Sequence, residues 1–138
     1  KSILQKRVYE LGLTNSVLFF THAYENIHKA YQKASICMFP TQSNSTWEEQ
    51  YGMVLIEALA SGLPVIAYDT GAITEVLDGK GILVDEGNID RLSERINYLL
   101  ENKEIAIKMG IDSRKIAEIK YNCINYQTKI TNIYQSLI

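Results

Sequence analysis

The feature that most constrains this chain is a series of short apolar runs separated by segments of helical periodicity. The runs are Val17–Phe20, Ser35–Pro40, Pro64–Tyr68 and Ile82–Val84. They do not alternate between apolar and polar positions, which indicates strands buried on both faces. Such strands, when they alternate with helices, are joined by right-handed crossovers into a parallel sheet. The pattern predicts an α/β, Rossmann-like domain of three layers that ends in helices.

Helical segments fill the spaces between the runs and the rest of the chain. Apolar spacing predicts them over residues 3–11, 25–34, 51–61, 73–77, 89–100, 104–119 and 126–137. Gly12 is expected to cap the first helix at its C-terminus, and Asn88 to cap the fifth at its N-terminus. The tyrosines of the C-terminal region, Tyr121, Tyr126 and Tyr134, are interpreted as packing residues rather than ligand contacts.

Length, charge and cysteine content exclude several classes of protein. The 138 residues suit one domain, and a net charge of −2 provides no basic field for nucleic acid. The longest apolar run falls short of the roughly 20 residues that a membrane span requires. Cys37 and Cys123, in a chain without a secretion signal, indicate inert thiols in a reducing compartment. These thiols fit a cytoplasmic location. His22 and His28 have no neighbouring ligand cluster, so we expect no metal.

The segment from Tyr51 to Ser61 is apolar almost all round, yet it carries Glu57 in its second turn. A carboxylate on such a helix is costly unless something satisfies it. Glu49 stands before the same helix, whose first N–H groups and dipole favour an anion. Gly52 lets a ligand approach the backbone. Amide groups for phosphate and carboxylates for hydroxyls together predict a nucleotide-sugar pocket at the carboxyl ends of the strands.

The stretch from Glu49 to Ala67 resembles the E-x7-E signature of the retaining GT-B glycosyltransferases of family 4, the group 1 type. Upstream, residues 11–49 are similar to the family's succession of strand, helix and strand. Downstream, residues 69–100 resemble its glycine-rich loop, its Gly-Leu-Leu-Val strand and the helix that follows. Residues 132–138 resemble its C-terminal helix. The resemblance covers nearly the whole chain, with its motifs in the family's order.

The resemblance implies a role for each matching residue. Glu49 is assigned as the catalytic residue, near the hydroxyls of the donor sugar, and Glu57 holds the ribose hydroxyls. The assigned donor-binding residues are Tyr51, Gly52, Met53, Glu57, Gly71 and Glu75. The backbone amides of the first three would face the sugar and the diphosphate, and Gly71 and Glu75 would close the other side. His22 follows a strand end where the family often contacts the base, although a plain loop residue is the simpler interpretation.

The family's activity would transfer a hexose from a nucleoside-diphosphate sugar to a saccharide or lipid-linked acceptor with retention. No metal and no other cofactor is implied. The full-length protein would be cytoplasmic, with peripheral attachment to the inner membrane face as a further option. Simpler interpretations stay open: Glu49 and Glu75 as favourable charges at helix starts, Glu57 as a surface residue, and Gly71 as a turn residue.

Residues 1–138 are interpreted as one incomplete donor-binding domain of a longer protein. The family's N-terminal acceptor domain, two strands and a basic pair that clamps the diphosphate are not found in this sequence. In the family's strand order, 3-2-1-4-5-6, the two strands would lie between Val17–Phe20 and the other runs. We therefore expect the chain alone to be inactive. We also expect it to be less stable than a whole domain, or else to pair its open edges with a second copy. The alternatives are a non-catalytic nucleotide-binding or regulatory module and another GT-B enzyme, such as a sugar-nucleotide epimerase or a phosphorylase.

Overall fold

A computed structural model describes residues 2–21 and 23–137, and its centre is a parallel sheet of three strands. The strands are β1 (Cys37–Phe39), β2 (Val65–Asp69) and β3 (Ile82–Asp85), in the order β1-β2-β3. Met38 lies beside Ile66 in the register of the first pair, and Tyr68 lies beside Val84 in the second. The predicted α/β class and the adjacency of the last three apolar runs are confirmed.

The described part of the chain contains seven helices. They are α1 (Ser2–Glu10), α2 (His28–Tyr31), α3 (Met53–Ala60), α4 (Ile73–Leu77), α5 (Ile89–Glu101), α6 (Lys103–Lys120) and α7 (Cys123–Gln135). The helix predicted over residues 25–34 is interrupted, because a 3-10 turn over Tyr24–Asn26 precedes α2. Asn88 caps α5 as predicted, since its side chain accepts a hydrogen bond of 3.0 Å from the amide of Arg91.

The layers follow from the alternation of side chains along β2, whose first four residues are all buried. Val65 and Ala67 pack in one cluster with α3, α4 and Ala117 of α6. Ile66 and Tyr68 face the opposite way and pack against α5. Because successive side chains of a strand point to opposite faces, a run that is apolar throughout requires a helix on both sides. This arrangement gives the predicted three layers.

The apolar character of α3 comes from its position between the sheet and α6. Leu55, Ala58 and Leu59 are fully buried in the larger core cluster. Burying one leucine side chain contributes about 1.5–3 kcal/mol, so these contacts hold the backbone of α3 firmly on the sheet. Glu57 lies between the buried positions and is half-buried. The core therefore fixes the depth at which this carboxylate is held.

The first of the predicted strands is wrong. Val17–Phe20 is not a strand of the sheet, and the side chains of Leu18 and Phe20 are 79% and 64% exposed. An apolar run becomes a strand only where it joins a ladder, and this one lies outside the sheet. Of the tyrosines interpreted as core and surface packing residues, Tyr121 packs against the larger core cluster. Tyr126 and Tyr134 lie at the surface on α7, where no described residue is buried. His22, predicted as a contact to the base or as a plain loop residue, lies outside the described residues.

Candidate functional site

Three loops meet at the carboxyl edge of the sheet. They follow Phe39 of β1, Asp69 of β2 and Asp85 of β3, and the parallel pairing brings all three to the same side. In open parallel sheets this edge is where ligands bind, because the loops there are free to carry side chains for the site. Every site residue predicted from the sequence belongs to the first two loops or to the helices that follow them.

Glu86, which the sequence did not single out, ties these loops together. Its carboxylate accepts hydrogen bonds from the amide and the hydroxyl of Ser43, at 2.9 and 2.8 Å. The hydrogen bond from the Ser43 hydroxyl, followed by one from the buried Thr70, lowers the pKa of Glu86. Ser43 and Glu86 are 43 residues apart, so no local pattern predicts their contact. The carboxylate holds the loop after β1 against the loops after β2 and β3.

The start of α3 is built around Gly52 and the carboxylate of Glu49. Gly52 precedes the helix with a left-handed backbone (φ 65°), a conformation that a glycine adopts at little cost. Glu49 Oε1 accepts hydrogen bonds from the amides of Gly52, at 2.8 Å, and Tyr51, at 3.3 Å. Two of the three amides predicted to face the donor are therefore bonded to Glu49 in this structure. An anion that binds them must displace this carboxylate.

The remaining amides at this end belong to the first turn of α3. The first intrahelical bond runs from the amide of Leu55 to the carbonyl of Gly52, at 2.8 Å. The amides of Met53 and Val54 precede this ladder, and the first N–H groups of a helix lie at the positive end of its dipole. Met53 and Val54 are 50% and 44% exposed. These two amides are the further donors that the start of α3 supplies for an anion.

Gly71 and Glu49 are brought into direct contact. Gly71 has a left-handed backbone (φ 53°), and a Cβ added to it would stand 2.3 Å from the carbonyl oxygen of Glu49. That same oxygen accepts a hydrogen bond of 2.9 Å from the amide of Ala72. The turn after β2 is thus docked on the backbone of the residue whose carboxylate caps α3. Glycine is required at position 71 because both the backbone conformation and the lack of space exclude a side chain.

Glu75 lies in the first turn of α4 and is exposed. It borders a cavity of about 720 Å³ between α4 and α7 that is also lined by Tyr51, Lys120, Tyr121 and Tyr126. Neither Glu49 nor Glu57 belongs to this lining, and Glu49 instead borders a smaller cavity of about 340 Å³. Glu75 therefore lines the larger cavity and is not part of the lining that contains Glu49.

Glu57 has a partner that the sequence analysis did not identify. Its Oε2 accepts a hydrogen bond of 2.9 Å from the hydroxyl of Tyr31, the last residue of α2. Burial of the phenol, and then the hydrogen bond to Glu57, raise the pKa of Tyr31 well above its usual value. Sequence spacing gave no sign of this contact, since 26 residues separate the two.

The described part of the chain offers neither a cluster of metal ligands nor a membrane-spanning helix. No three side chains of His, Cys, Asp or Glu among residues 2–21 and 23–137 are grouped so as to hold a metal ion. None of the helices described there combines the length and the apolar character needed to cross a bilayer. The site as described consists of carboxylates, backbone amides and one phenol.

Sequence comparisons place this chain beside glycosyltransferases. The sequence model of the family described as "Glycosyl transferases group 1" matches residues 1–116. An uncharacterised glycosyltransferase of Methanocaldococcus jannaschii is 26% identical over 136 residues, which are 97% of this chain and 37% of that protein. The capsular polysaccharide biosynthesis glycosyltransferase CapM of Staphylococcus aureus is 28% identical over 125 residues, 89% of this chain and 31% of CapM. The chain thus spans about a third of the length of these relatives.

The comparison of folds agrees with the sequence comparisons. The crystal structure of Anabaena HepE in complex with UDP superposes with a TM-score of 0.88 at 22% identity, covering 98% of this chain and 36% of that protein. Sucrose-phosphate synthase from Thermosynechococcus elongatus gives a TM-score of 0.82 at 26% identity, covering 97% of this chain and 33% of the synthase. Both likenesses extend over the sheet and over the C-terminal helices.

Proposed function

The chain belongs to the group 1 glycosyltransferases, and from that premise we propose that it is the donor-binding part of such an enzyme. The whole protein would transfer a hexose from a nucleoside-diphosphate sugar to a saccharide or lipid-linked acceptor with retention. The chain would hold the donor at the carboxyl edge of the sheet. Support for the donor class comes from a related fold that was solved with UDP and with UDP-glucose.

The observation that carries the proposal is the position of Glu57. Its carboxylate is half-buried on a helix whose neighbouring side chains are fully buried, and one of its oxygens is bonded to Tyr31. A carboxylate has about four acceptor sites, so most of them remain for other donors. Two adjacent hydroxyls of a ribose are donors of the kind that a fixed carboxylate accepts. Glu57 is therefore proposed to bind the ribose.

The start of α3 supplies the complementary charge for the diphosphate. The amides of Tyr51, Gly52 and Met53 and the dipole of α3 favour an anion and would offset the charge that the leaving diphosphate develops. Glu49 shares two of these amides in the present structure. On donor binding its carboxylate is proposed to exchange them for the sugar hydroxyls. Gly71 keeps the Glu49 backbone in place, and Glu75 is proposed to approach the donor from α4.

Titration of the chain with UDP, followed by calorimetry, tests this proposal. Glu57→Gln keeps the size of the side chain but replaces one carboxylate oxygen by a donor group, so we expect UDP affinity to fall about tenfold or more. Glu101→Gln makes the same change at an exposed position of α5 and should leave the affinity unaltered. Equal affinities for the wild type and the Glu57→Gln variant would rule out the ribose role.

The chain alone is proposed to be inactive and to form one incomplete domain. Support comes from the relatives, of which it spans about a third. Acceptor-dependent transfer by the purified chain, given a donor sugar, would refute the inactivity. The open edge of β1 is proposed to pair with a second copy, and sedimentation that finds only monomers at high concentration would refute this self-association.

A further inference from the structure

The contact between Tyr31 and Glu57 joins two helices that the chain keeps far apart. Tyr31 ends the short helix α2, and Glu57 lies in the middle of α3, 26 residues later. Both side chains are half-buried, and the phenol hydroxyl donates to Glu57 Oε2 at 2.9 Å. A hydrogen bond to a carboxylate is stronger than one between neutral groups, and a partly buried position strengthens it further. The bond is therefore able to fix an orientation.

The backbone of Glu57 is already fixed by its neighbours, so its remaining freedom lies in its own side-chain torsions. Leu55, Ala58 and Leu59 are fully buried and hold α3 on the sheet. A glutamate side chain has three rotatable bonds, and ordering it on ligand binding costs affinity. The bond from Tyr31 engages Oε2, so Oε1 remains an acceptor for other donors. An orientation that is set before the ligand arrives removes this cost.

The phenol also keeps a constant role over the pH range in which the protein would work. Burial and the neighbouring carboxylate raise the pKa of Tyr31, so its hydroxyl stays protonated and continues to donate. A serine or threonine at this position would be too short to span the distance between the helices. The ring of Tyr31 also packs against the larger core cluster, which limits its movement. The ring is therefore held against the same core cluster that fixes α3.

We propose that Tyr31 is a positioning residue, which holds Oε2 of Glu57 so that Oε1 is set to accept the ribose hydroxyls of a nucleoside diphosphate. The inference rests on the proposed function, because it assumes that Glu57 binds ribose. It adds a specificity role to a residue outside the signature. Tyr31 itself makes no contact with the nucleotide in this proposal, and its effect is confined to ligands that carry ribose hydroxyls.

The test compares UDP with 2′,3′-dideoxyuridine diphosphate, which lacks both hydroxyls, by calorimetric titration of the whole chain. The wild type should prefer UDP. Tyr31→Phe should weaken UDP binding about tenfold and leave the affinity for the dideoxy compound unchanged. The ratio of the two affinities should therefore fall by the same factor. Tyr9→Phe removes a hydroxyl from an exposed tyrosine of α1 and should leave both affinities unchanged. Circular dichroism confirms that each variant is folded.

A second variant separates positioning from simple packing. Replacing Tyr31 by 4-aminophenylalanine keeps an N–H donor in place of the hydroxyl, so we expect it to restore most of the UDP preference. If Tyr31→Phe weakens both ligands equally, or neither, or if the amino variant restores nothing, the role of Tyr31 is overturned while that of Glu57 stands. If the wild type itself does not prefer UDP, the proposed ribose role of Glu57 is overturned, and this inference with it.

Discussion

Replacing Gly71 by alanine tests whether the contact between the turn after β2 and Glu49 holds the site together. The new Cβ would stand 2.3 Å from the carbonyl oxygen of Glu49, whereas real Cβ contacts stay beyond 3.0 Å. The two backbones must therefore separate by about 0.7 Å. The hydrogen bond from the Ala72 amide to the same oxygen is 2.9 Å long, and such a separation takes it to roughly 3.6 Å, where it no longer counts as one.

The expected loss of stability has two parts. A left-handed backbone costs an alanine about 1–2 kcal/mol, partly offset by the lower entropy of its unfolded chain. The lost hydrogen bond and the residual overlap add about 2 kcal/mol. Gly79 provides a matched control, because it is also left-handed (φ 72°) but a Cβ there would meet nothing within 4 Å. Gly79→Ala should therefore show only the cost of the left-handed backbone.

The assay is urea denaturation of both variants, combined with UDP titration. We expect Gly71→Ala to lose about 2 kcal/mol more than Gly79→Ala. We also expect only Gly71→Ala to bind UDP more weakly, since it moves Glu49 and the amides that Glu49 caps. Equal losses of stability in the two variants would refute the steric argument. Unchanged UDP affinity in a folded Gly71→Ala variant would refute the link between this turn and the donor site.

Three further changes have expected outcomes. Folding lowers the pKa of Glu86, so the ionised carboxylate stabilises the fold at neutral pH and this contribution is lost as the pH falls through its folded pKa. The difference in melting temperature between the wild type and Glu86→Gln should therefore shrink between about pH 7 and about pH 2. Asn88→Ala removes the cap of α5 and should cost about 1 kcal/mol in urea denaturation, whereas Asn88→Asp should not. Leu59→Ala should cost about 2–5 kcal/mol because the side chain is fully buried, and Leu100→Ala, at a site that is 54% exposed, should cost far less.

The sequence predicted the strands that are buried on both faces better than it predicted Val17–Phe20 and the burial of α7. Pro64–Tyr68 and Ile82–Val84 correspond closely to β2 and β3, because helices on both sides require an unbroken apolar run. Val17–Phe20 has the same composition and is not a strand. Composition shows that a segment suits a sheet, but only a place in the ladder makes it a strand. The apolar spacing of α7 was likewise insufficient to bury it.

Local chemistry in the sequence determined the α/β class and the apolar helix α3 with Glu57 on it. It also determined Glu49 and the glycine that precede this helix. These depend on periodicity and on backbone preferences, which act over a few residues. Only the tertiary structure decided the partners of the glutamates: the Tyr31 hydroxyl on Glu57, and the amides of Tyr51 and Gly52 on Glu49. It also decided that Glu86 ties the loops. Contacts across tens of residues depend on how helices and strands pack, and no spacing along the chain encodes that geometry by itself.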